Sequence, residues 1–288
     1  MARYAVYLEI TEDGRCMAHV PDLPGCIVRA LDRDETLRQV PEAIREAHAW
    51  LRQHGEPAPA EEEPIEIEIA AENIGWGPFD PGDAAALFPP DREPITPEEM
   101  ERVFRLMAHT RTDLLALVRH LPDDLLDWQP DERTFSIRRL LRHIGNAEKW
   151  YVSRLVPPET LPPEWAQDEG MPIFEFLEME RRTAMARLRQ LTQAERTEVF
   201  YPTYRTRHPE EPWTARKALR RFLEHEREHT AQIRTILDLR RRHLLSRLAA
   251  ERARLLGRLM GLGEDMLTQM PVLDGWTIRD ILAHIAAW

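Results

Sequence analysis

RFLEHEREHTAQIRTIL, residues 221–237, carries His225 and His229 four positions apart. On an α-helix, residues i and i+4 share one face, with Cβ atoms about 6 Å apart. Two imidazoles so placed can take adjacent corners of one metal ion. Phe222, Ile233 and Ile236 fall at helical spacing with the pair, so it faces the apolar side or its rim. A second stretch, FSIRRLLRHIGNAEKWY (135–151), puts His143 on the stripe of Ile137, Leu140 and Ile144. Three histidines from two helices leave one or more metal positions for water or substrate, the layout of a reactive site. An inward histidine is also an ordinary hydrogen-bonded core residue, and spacing alone leaves both readings open.

The same segment spells H-E-x-x-H, the metalloprotease signature, in which Glu226 would be the general base. Zincin helices are largely buried and want uncharged residues before the second histidine. Here Arg227 and Glu228 are both charged, and no third ligand follows in a zincin-like context. Glu226 is therefore expected to be a solvated surface acid. His109, His120, His208 and His243 lack partner spacing, and His19 and His48 have no ligand cluster. Asn146, Glu148 and Tyr151 follow His143 and could approach a substrate, while Trp150, Trp165 and Trp213 read as core.

Working outward, residues 96–240 read as a four-helix bundle. Thr96-Pro97-Glu98-Glu99 is a strong helix start, and that helix should reach His120. The others run from about Ser136 to Leu155, Ile173 to Leu191, and Thr214 through Leu239 or beyond. Proline-rich connections at 157–163 and 202–212 separate them. Residues 1–72 read as a small α+β domain: Tyr4, Val6, Leu8 and Ile10 alternate as a strand, and Cys16–Val20 returns as a hairpin partner. Ile27–Leu31 extends again. Thr36 with Gln39 forms a capping box opening a helix to Gln53, with Pro41 as a kink, and Pro64–Ala70 closes the unit as a strand. Residues 73–95 form a linker whose Trp76, Phe79 and Phe88 should pack on a neighbour.

Residues 241–288 begin the bundle again. Shifted by 141 residues, Leu114–Ile144 lies on Leu255–Ile285 with eleven identities in 31 positions, His143 falling on His284. This is half a bundle without a second HxxxH, so one chain should hold one metal. Either the chain is truncated at Trp288, or a homodimer or partner chain covers the half repeat.

Two resemblances follow from these residues. FSIRRLLRHIGNAEKWY with FLEHEREHTAQI resembles the DinB-like superfamily, including its bacillithiol-transferase branch, over about 145 residues. It implies a four-helix bundle with a divalent metal on His143, His225 and His229. Zn, Ni, Mn and Fe are not distinguished. It also implies transfer of a low-molecular-weight thiol to a small electrophile, or hydrolysis. Phe135 stands where the family has tryptophan, and Trp276 restores it in the partial repeat. YAVYLEITEDGRCMAHVPDLPGC with DETLRQVPEAIREAHAWL is similar to a HicB-type domain, which implies a protein-interaction module. The alternative to an enzyme is then a non-catalytic, metal-stabilised scaffold carrying that module.

Composition agrees with packed cores: 43% of the 288 residues are hydrophobic, and the 31% that are charged mix both signs. The net charge of −11 disfavours nucleic acid as a partner. Two cysteines exclude a disulfide scaffold. No 18-residue apolar run predicts a membrane span, and no signal peptide is read, so the expected location is the cytoplasm.

Overall fold

The computed structural model describes residues 1–74, 86–166, 168, 170–206 and 208–287. Two compact units emerge, Met1–Ile236 and Leu237–Trp288. The first holds a small sheet unit followed by a helical bundle.

Strands β1 (Ala2–Ile10), β2 (Cys16–His19), β3 (Ile27–Ala30) and β4 (Ile65–Ile74) form one sheet in the order β3-β2-β1-β4. The hairpin pairs are antiparallel, and β4 returns parallel to β1 after helix α1 (Arg33–Gln53). Alternation along β1 sorts its faces. Tyr4, Val6 and Leu8 pack with Val40 and Ile44 of α1, and the Tyr4 hydroxyl meets His48 Nε2 at 2.7 Å. On the opposite face Tyr7 packs on the buried Phe88 ring at 4.9 Å. The expected packing of the linker is therefore seen at Phe88, whereas Trp76 and Phe79 lie outside the described residues.

α1 begins a turn earlier than its capping box predicts. Asp32 is the N-cap, accepting from the Glu35 amide at 2.8 Å. Thr36 does not cap; its hydroxyl donates to the carbonyls of Asp32 and Cys16, tying the helix to the sheet.

The bundle consists of α2 (Pro97–Val118), α4 (Ile137–Val152), α5 (Ile173–Arg189) and the front of α7 (Ala215–Leu259), with short helices α3 (Asp123–Leu126) and α6 (Gln193–Thr197) between. Thr96 caps α2 in a capping box with Glu99, and Ser136 caps α4. The loop before α7 is closed by paired backbone bonds between Phe200 and Trp213.

A ring of charge crosses the bundle core, one residue from each helix. Arg111 of α2 donates to Glu226 of α7 at 2.6 Å and also pairs with Glu148 of α4. Arg181 of α5 reaches the same two carboxylates at 2.8 and 2.9 Å. Arg111, Glu148 and Glu226 are all buried. The expected surface position of Glu226 is thus corrected: it is 1% exposed, and Thr110 adds a hydroxyl to its arginine partners. Two guanidiniums supply the counter-charge that lets a carboxylate lie in a dry core.

A second cluster joins sheet to bundle. Arg220 of α7 grips Asp91 with two bonds of 2.9 and 2.8 Å, and Glu224 takes Arg220, Arg221 and His19 of β2. His19, Asp91, Arg220, Arg221 and Glu224 are all buried.

In the second unit, α8 (Glu264–Thr268), the small hairpin β5 (Pro271–Leu273) and β6 (Trp276–Thr277), and α9 (Ile278–Ala287) follow the end of α7. The ends of α2 and α7, the starts of α3 and α8, and the starts of α4 and α9 are each displaced by the same 141 residues. Leu248, Leu256 and Ile285 are exposed there.

Candidate metal centre

α4 carries His143 toward α7 because its buried stripe, Ile137, Leu140, Leu141 and Ile144, brackets that position. α7 buries Phe222, His225, His229, Ile233 and Ile236 along one face, so both of its histidines point into the bundle. The three imidazoles converge. His225 Nε2 lies 2.9 Å from His143 Nε2 and 3.1 Å from His229 Nε2. Among the described residues this is the group of His, Cys, Asp or Glu side chains that could hold a metal ion, with ligand atoms all within 4.8 Å of one another.

The protonation state suits such a role. His229 Nδ1 lies 2.8 Å from Gln232 Oε1, an acceptor. Nδ1 therefore carries the proton, and the Nε2 lone pair faces the cluster. Burial holds His225 well below the usual histidine range, with His229 and His143 adding to the effect. Burial also lowers His229 to about 4, against the pull of Glu228. Neutral imidazole is the form that binds metals. Three nitrogen lone pairs crowded at such distances repel unless a proton or a cation lies among them, so the donor set fits a divalent ion. His109 and His48 stand apart from this cluster, and His120, His208 and His243 are exposed.

His143 and His225 line a cavity of about 800 Å³. Its walls include Trp150, Tyr151, Trp165 and Tyr204, with Lys149, Asp168 and Arg205 among the polar groups. Asn146 and Tyr151 thus lie where the sequence allowed substrate contact, while Glu148 is spent in the charge ring. Trp213 is core, as expected, but Trp150 and Trp165 also face this cavity. Lys149 pairs with Asp168 and lies 3.2 Å from Glu180. Glu180 is wholly buried, and burial pushes its carboxyl up to about 7 against that lysine. Sequence reasoning missed Lys149 and Arg205. Trp150 follows His143 by seven positions, a helical spacing that marks the same side of α4, whereas Lys149, at six, falls off that face.

Residues 106–233 match the DinB superfamily. The chain is 37% identical over 57 residues to the UPF0150 protein Ta0767 of Thermoplasma acidophilum, a stretch spanning 20% of this chain and 83% of that protein. Among solved structures it is similar to YfiT from Bacillus subtilis, described as a probable metal-dependent hydrolase with an unusual four-helix bundle topology. That likeness has 20% identity and a TM-score of 0.38, covering 52% of this chain and 91% of the other. No described helix is long and apolar enough to cross a membrane.

Proposed function

The chain carries a DinB superfamily domain at residues 106–233 and belongs, over 57 residues, to the UPF0150 family; on that premise we propose that it binds one divalent metal ion on His143, His225 and His229 and acts through it on a small molecule, as a transferase or hydrolase. The observation that carries this reading is the convergence of three Nε2 atoms, with His143 and His225 lining a large cavity. When bound at such a site, a divalent ion lowers the pKa of a water or thiol and supplies a nucleophile at neutral pH.

The chain's own groups have separable tasks. Gln232 holds the Nδ1 proton of His229, fixing its tautomer. Trp150, Tyr151 and Trp165 supply apolar wall beside His143 and His225. Glu226 stays in the charge ring with Arg111 and Arg181, so it is not free to act as a base and the protease reading loses its catalyst. A purely structural site is normally closed by four protein ligands. A three-histidine cluster with two of its members lining a cavity supports the reactive reading over the scaffold reading. A low-molecular-weight thiol remains the proposed nucleophile, and the HicB-like sheet unit is read as a fused module packed on the helix that bears two of the ligands.

Metal analysis of the purified full chain tests this. Stoichiometric metal is expected in the wild type and lost in His143→Ala, His225→Ala and His229→Ala. Metal-free wild type, or metal retained in the His143 variant, would overturn the assignment. Gln232→Leu should keep the fold and weaken metal affinity about 10–100-fold, the usual effect of removing a residue that orients a ligand. A competition titration against a chromogenic chelator reads that change, and unaltered affinity would remove Gln232 from its role.

A further inference from the structure

The cavity beside the histidines has features that the metal reading does not require. At about 800 Å³ it lies near the upper end of small-molecule sites, and a two-carbon acid would leave most of it to water. Its walls are apolar and aromatic at Trp150, Trp165, Tyr204 and Leu161. One wall is a strap, residues 204–205, pinned from below. The Trp150 indole donates to the Arg205 carbonyl at 3.2 Å, and the Arg154 guanidinium donates to the Tyr204 carbonyl. Arg205 is held at a φ of 47°, the left-handed region, which a side chain of this size occupies only where its surroundings impose it.

The charge at this site runs against the rest of the molecule. The chain carries −11 overall, yet the described lining includes two fixed cations, Lys149 and Arg205, and one anion, Asp168. Lys149 is committed to Asp168 and Glu180. The Arg205 guanidinium lies 5.4 Å from the Tyr204 ring centre and meets no carboxylate among the described residues. A cation on an aromatic shelf at the edge of an apolar slot is suited to an oxyanion attached to a flat ring.

We propose that the molecule taken by this cavity is an aromatic anion. Its planar apolar body lies among Trp150, Trp165 and Tyr204. Its carboxylate or comparable oxyanion rests on Arg205, and the group to be transformed points toward His143 and His225. Only this last orientation rests on the metal-centre reading; the binding class does not.

Fluorescence titration of the full chain, following quenching of Trp150 and Trp165, tests the proposal with 2-naphthoate, neutral 2-naphthalenemethanol and acetate. The wild type should bind 2-naphthoate about fivefold more tightly than the alcohol, the modest preference expected of an exposed guanidinium. Arg205→Gln should abolish that preference by weakening the naphthoate alone, Arg205→Lys should restore part of it, and acetate should not compete. Equal binding of acid and alcohol to the wild type, an unchanged preference in Arg205→Gln, or displacement by acetate would overturn the proposal. Repeating the titration on chelator-treated protein separates the two readings. Arg205-dependent naphthoate binding in protein that never holds metal would refute the metal centre and leave the ligand class standing.

Discussion

Glu226→Ala is expected to destabilise the first unit by about 3–5 kcal/mol, the cost of leaving buried charge without its partner. Glu226 is 1% exposed and shared by Arg111 and Arg181, so its removal leaves two guanidiniums in the bundle core with Glu148 as their one remaining carboxylate in the ring. Burial by itself would raise the Glu226 carboxyl, but Arg111 and Arg181 outweigh it and hold the group down at about 2. Urea denaturation followed by helical circular dichroism measures the loss. A change below about 1 kcal/mol, the range of a solvated surface pair, would mean that the ring is not dry and that Glu226 is a surface acid after all.

Gly145→Ala should also destabilise strongly, by about 1–3 kcal/mol, as overpacking of a filled core does. A Cβ at this position of α4 would clash with Cε1 and Cζ of Phe176, whose ring on α5 is wholly buried. The higher helix propensity of alanine, about 1 kcal/mol, only partly offsets that clash. Gly257→Ala supplies the contrast. It lies in α7 with nothing within 4 Å of the added atom, so the same substitution should there stabilise the helix by up to about 1 kcal/mol. Thermal melts of the two variants should move in opposite directions. A Gly145 variant as stable as the wild type would show that α4 and α5 are not in close contact.

The bundle helices were legible because their starts are written locally. Thr96-Pro97 and Ser136 do cap α2 and α4, and the helical spacing of His225, His229, Ile233 and Ile236 does mark a buried face. The inward facing of the three histidines follows from those stripes, while the joining of His143 to the other two was implied by the family resemblance. What stayed hidden depends on partners far away in sequence. Glu226 reads as a surface acid beside Arg227 and Glu228 because nothing nearby reveals that Arg111 and Arg181 arrive from other helices. His19 has no local reason to be buried; its reason is Glu224, 205 positions later. Thr36 matched a capping pattern by type, but Asp32 lay closer to the true start and the threonine hydroxyl was claimed by the sheet. Arg205 belongs to a loop, where backbone conformation comes from the Trp150 and Arg154 side chains beneath it and has no periodicity to read.

The charge ring also bears on which fold the helices could have chosen. Apolar stripes are interchangeable: leucines on α4 and α5 would fill a core equally well if those two helices exchanged places around the bundle axis. The four ionised groups are not. Around the ring of ion pairs, Arg111 of α2, Glu148 of α4, Arg181 of α5 and Glu226 of α7, the signs alternate, and every neighbour is an opposite charge. Exchanging α4 with α5 would set arginine beside arginine and glutamate beside glutamate, with no water to screen either pair. Four side chains thus act as a parity check on the order of the helices. They reject the crossed arrangement that hydrophobicity alone would accept.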